Sequence, residues 1–172
     1  MEKATSRKGR NAEVTAWIAA ERHEPADLLD GPRDDQWDDP SLCAGWWVRE
    51  VAAHMPLGFR LSLPATLGEP ARARGNLHGM TDRGARRDAA VHFTAELAAF
   101  LREGAPHYPW TSPVGGYTAA LGHDVVHGLD ITVALGLDRR VPQGAAARAA
   151  RRDSAQSGLR FSRRHRRSAA VR

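Results

Sequence analysis

Apolar residues recur at helical spacing in four stretches of this chain, and no stretch reads convincingly as a strand. The first stretch starts at Asn11 or Ala12, with Val14, Trp17, Ile18, Leu28 and Leu29 along one side. Pro25 lies inside it and cannot donate to the carbonyl of residue 21, so a kink or break is expected there. The second starts near Trp46 or Trp47 and carries Val48, Val51, Ala52, Met55 and Phe59, with Glu50 at the N3 position and a bend expected at Pro56. The third runs from about Asp88 to Arg102 on Ala90, Phe93, Leu97, Phe100 and Leu101. The fourth runs from about Tyr117 to Leu135: Leu121, Val125, Thr132 and Leu135 mark one side, and His123, His127, Asp130 and Ile131 the adjoining side. Between the first two, "RDDQWDDPSLCAG" reads as an ordered loop anchored by Trp37. Residues 63–87 hold two Pro and four Gly without periodicity and read as a long connection. These features predict an all-α chain, a four-helix bundle with a long crossover loop over residues 12–142. Residues 1–11 are expected to be flexible, and 143–172 to be a basic, disordered tail.

Charge and composition narrow the function classes. The pI of 10.3 suggests a nucleic-acid binder. However, residues 143–172 hold nine Arg and one Asp, a net of +8 against +5 for the whole chain, so residues 1–142 carry −3. The basic charge belongs to the tail, and nucleic acid is not an expected partner. No run of 18 apolar residues exists, so no membrane span is expected, and "MEKATSRKGR" lacks the apolar stretch of a signal peptide. Cys43, the single cysteine, excludes an internal disulfide framework; a cytoplasmic location is the default.

The stretch with the most chemical content is "GHDVVHGLD", Gly122 to Asp130. On a helix, His123 and His127 share a face one turn apart, and Asp130 follows on the same side. The spacing leaves two readings open: a metal grip, or two solvated or hydrogen-bonded histidines. Asp130 is either a group that orients an imidazole or an ion-pair partner of Arg49 or Arg60. Asp124 is expected to face away into solvent. Gly128, unfavourable in mid-helix, would let another helix or a ligand approach. Cys43 is expected to be a small buried residue with no adjacent base. His54, at the edge of the second stripe, reads on its own as a core-edge histidine with a hydrogen bond; if the helices pack as a bundle, it is also placed to meet the histidine pair.

"WDDPSLCAGWWVREVAAHM" followed by "HDVVHGLDITVALGLDRRVP" resembles the DinB-like superfamily, and within it the mycothiol-dependent maleylpyruvate isomerase family, over roughly Ala12 to Pro142. The resemblance implies a metal-binding four-helix bundle with His54, His123 and His127 as ligands. It also implies a divalent ion, zinc first and nickel or another as alternatives, and a low-molecular-weight thiol, mycothiol, as co-substrate. Three features depart from the family pattern. His123 stands where the isomerase members carry Glu. Trp47 stands at a cap position held by Ser or Thr. "QSGLRFSRRHRRSAAVR" lacks apolar periodicity where members often continue into a C-terminal domain that helps form the substrate pocket, so this chain is expected to be truncated or frame-shifted there.

The function implied is thiol transfer to a small electrophile, or its cis-trans isomerisation, at a metal centre. Three neutral imidazoles leave a divalent ion acidic enough to favour a thiolate. Asp130 is the residue expected to assist by orienting an imidazole. The alternative is a metal-binding bundle without catalysis, serving in binding or stress response. Homodimerisation is compatible with either.

Overall fold

The computed structural model describes residues 2–60, 77–104 and 116–150. Every regular element among them is helical, as expected; the only extended pairing there is an antiparallel bridge between Pro40 and Trp47. No helix is long and apolar enough to cross a membrane among the described residues.

Helix α1 spans Glu2–Leu28. It thus begins well before the apolar stripe, and the stretch expected to be flexible is helical from Glu2 on. Glu, Lys, Ala and Arg are good helix formers, but they leave no apolar period for a sequence reading to find. Pro25 does not end the helix. It sits in the last turn, where few bonds remain to be lost, and its carbonyl still accepts from the Leu29 N–H at 2.9 Å. A 3₁₀ turn at Asp34–Asp38 then buries Trp37 to 2% exposure, the anchoring role expected of it.

Helix α2 spans Val48–His54. The Glu50 carboxylate accepts the Trp47 N–H at 2.8 Å, so a side chain at N3 secures the helix start although Trp47 offers no acceptor. Pro56 converts the expected bend into a break, and the chain resumes as α3, Leu57–Arg60.

The expected third helix is two helices. Helix α4 spans Leu77–Val91 and α5 spans Thr94–Gly104. Glu96 accepts the Phe93 N–H at 2.8 Å and so fixes the start of α5. Phe93 and Ala90, read as core, are exposed at this break. Helix α4 also occupies the second part of the expected connection. Its inward residues are small or polar (Ala85, Asp88, Ala89), and no bulky stripe reveals it. The remainder of that connection, 63–76, lies outside the described residues.

Helix α6 spans Gly116–Thr132. It packs against α1 and α2; α1 also meets α5, and α2 meets α4 and α5. One apolar group gathers Trp37, Val48, Val51, Leu97, Leu101 and Ile131. The other gathers Val14, Ile18, Leu121, Val125 and Ala145. Ala145 belongs to a helical stretch at 143–150, so the opening of the expected disordered tail is packed structure. Its alanines are too small to draw a stripe. Residues 151–172, the rest of that tail, lie outside the described residues.

Candidate metal centre

The packing of α2 on α6 brings the last residue of one helix to the middle of the other. His54 closes α2, while His123 and His127 stand one turn apart on α6. The three ring centroids are 4.6 to 5.0 Å apart. His54 Nε2 lies 3.0 Å from His123 Nε2. One ligating nitrogen from each ring fits within 4.8 Å of the others. Burial foremost, and then the neighbouring His123 and His127, push the His54 pKa down to about 2, so this ring is neutral at ordinary pH. Its Nδ1 is buried without a hydrogen-bond partner among the described residues.

Two carboxylates stand behind the rings on α6. Asp130 Oδ2 is 3.0 Å from His127 Nδ1, and Asp124 Oδ1 is 2.8 Å from His123 Nδ1. An ionised carboxylate only accepts, so both rings carry their proton on Nδ1 and turn an Nε2 lone pair outward. The two arginines weighed as partners of Asp130 are engaged elsewhere: Arg49 with Asp38 at 2.8 Å, and Arg60 with Asp88 at 3.2 Å.

Asp124 is not the solvated residue expected. It is 1% exposed, and its Oδ2 accepts from Arg22 Nε of α1 at 2.7 Å. The sequence held a signal for this pair. Arg22 falls four residues after Ile18, and Asp124 four after Ala120, so each is a charge set into an apolar stripe. Opposite charges in facing stripes are a pair.

Two further neighbours were missed. Trp46 lies 4.9 Å from His54 and 6.5 Å from His127, ring centre to ring centre, and walls one side of the cluster. Its indole N–H donates to Asp82 at 2.7 Å. The turn that presents it depends on Gly45, whose φ of +83° is costly for any side-chain-bearing residue. Arg86 donates to the Gly45 carbonyl, to Asp82 and to Glu50, tying this turn to α4. Cys43, read as having no adjacent base, has its sulfur within 4.8 Å of a His127 nitrogen and an Asp130 oxygen. Burial, with Asp130 second, raises its pKa and keeps it a thiol.

The donor set fits a divalent ion. Three converging imidazoles, two of them fixed as Nδ1–H tautomers, are the ligands that zinc, nickel and similar borderline ions take. The third, His54, is neutral and brings its Nε2 to 3.0 Å from His123 Nε2.

The family model described as mycothiol maleylpyruvate isomerase N-terminal domain matches residues 18–110, more than half of the chain. The match includes Trp46 and His54 and ends before His123 and His127. No curated protein and no solved structure matches.

Proposed function

Since the chain belongs to the mycothiol maleylpyruvate isomerase N-terminal domain family, we propose that it is a metal-dependent enzyme using a low-molecular-weight thiol, mycothiol in the first instance. Its reaction is thiol transfer to a small electrophile or cis-trans isomerisation of one. The observation that carries this reading is the convergence of His54, His123 and His127 from two helices, with ligating atoms within 4.8 Å. Packing alone gives no reason to gather three imidazoles there, because a protonated ring would repel its neighbours.

His54, His123 and His127 would hold the ion, and a divalent ion among neutral imidazoles supplies the Lewis acidity that favours the thiolate form of a thiol. This chain's own residues set the surroundings. Asp130 keeps the His127 proton on Nδ1 and the Nε2 lone pair turned to the centre. Trp46 places an apolar ring beside His54, which lowers the local dielectric and limits water at that side. Cys43, kept as a thiol, does not compete as a nucleophile.

The test is cobalt-substituted protein titrated with mycothiol. A thiolate-to-cobalt charge-transfer band should appear and grow with pH as the thiol ionises. No band with mycothiol, glutathione or a simple dithiol would reject the thiol reading and leave a metal-binding bundle without this catalysis.

A further inference from the structure

We propose that Asp124 is a positioning residue for His123 and that Arg22 of α1 positions Asp124, so that a third helix, α1, helps build the metal centre. This rests on the reading of His54, His123 and His127 as ligands. Both oxygens of Asp124 are committed: Oδ1 to His123 Nδ1 at 2.8 Å, Oδ2 to Arg22 Nε at 2.7 Å. Both charged side chains are 1% exposed. Desolvating an ion pair this completely offsets much of its attraction, and an apolar pair of similar volume would serve the packing of α1 on α6 about as well. What an apolar pair would not provide is a fixed acceptor behind His123.

The arrangement does two things for that ring. It holds the proton on Nδ1, so that the lone pair on Nε2 faces the cluster, and it puts a negative charge behind the imidazole, which strengthens the ring as a donor. Arg22 fixes the carboxylate rotamer from a helix 102 residues away in sequence. Asp130 performs the local version of this task for His127 from three residues along the same helix, with 16% of its side chain exposed. The two supports therefore differ in kind. His127 is oriented within α6, whereas the orientation of His123 depends on how α1 docks.

The experiment measures zinc affinity of the full chain, stripped of metal and titrated against a chromogenic chelator, with the ligand-field spectrum of the cobalt form as a second readout. Asp124→Asn removes the charge and keeps the size. The double variant Arg22→Met/Asp124→Leu replaces the pair with apolar residues and guards against a fold lost to an unpaired arginine. Both should bind zinc roughly 10- to 100-fold more weakly, with an altered cobalt spectrum. Arg102→Met removes the ion pairs that tie α5 to Asp27 and Asp30, touches neither Asp124 nor a histidine, and should bind zinc as the parent does. Parental affinity and spectrum in the double variant would overturn the inference while leaving the three-histidine centre standing. An equal loss in Arg102→Met would overturn it too, since general destabilisation would then explain the effect. A parent chain that binds no zinc would overturn the ligand reading itself.

Discussion

Gly128 shows how much one missing methyl group decides. A Cβ there would stand 2.9 Å from Arg139 Cζ and overlap the guanidinium. That guanidinium donates to Glu21, and its Nε lies 3.5 Å from Glu24 on α1. Burial raises the Glu21 pKa, and Arg139 opposes the rise. Replacing a mid-helix Gly with Ala normally adds about 1 kcal/mol to helix stability. Displacing one partner of a buried pair costs about 3–5 kcal/mol. Gly128→Ala is therefore expected to lose about 2–4 kcal/mol in chemical denaturation. A gain in stability would mean that the arginine yields without leaving Glu21. The close approach expected at Gly128 is thus made by an arginine from the segment after α6. The i, i+4 rule found the histidines of the site and Asp130 beside His127. It could not find Asp124's real neighbours, because adjacent helical residues usually diverge and the arginine that redirects this one is remote in sequence.

At the scale of elements, the start of α2 carries the site, since that helix ends on His54. Glu50 is its keystone: one oxygen accepts from the Trp47 N–H, the other from Arg86 at 2.9 Å. Glu50→Ala should cost about 1–2 kcal/mol, and Glu50→Gln, which keeps an acceptor, clearly less. Urea unfolding of the two variants checks the order; equal losses would remove the cap from the account. Element legibility followed side-chain size. Bulky stripes on α1, α2 and α6 declared themselves. Helix α4 turns Ala85 and Ala89 inward and was read as loop, and the break at His92–Phe93 went unseen because Phe93, 81% exposed, continued the apparent stripe. Pro25 and Pro56 carried the same expectation with different outcomes. Pro25 falls in a final turn, whereas Pro56 leaves only a four-residue helix, Leu57–Arg60, after it.

For the whole molecule, the three-histidine cluster exists because α2 and α6 pack together, with α1 closing on α6 behind it. The all-helical class was legible from period, and the shared face of His123 and His127 from spacing; that His54 joins them came from the family resemblance and from the expectation of a bundle. The buried Arg22–Asp124 and Arg139–Glu21 links that join α1 to this site were not read: Arg22 and Asp124 stood out as charges set into apolar stripes, but which charge meets which is fixed by packing between remote helices rather than by local pattern. The account's central claim is that His54, His123 and His127 share one divalent ion. Elemental analysis after exhaustive dialysis tests it most directly, on the parent chain and on a His54→Ala/His123→Ala/His127→Ala variant shown by circular dichroism to remain helical. The account predicts about one divalent ion per parent chain and none in the variant. Equal metal content in the two proteins would contradict it.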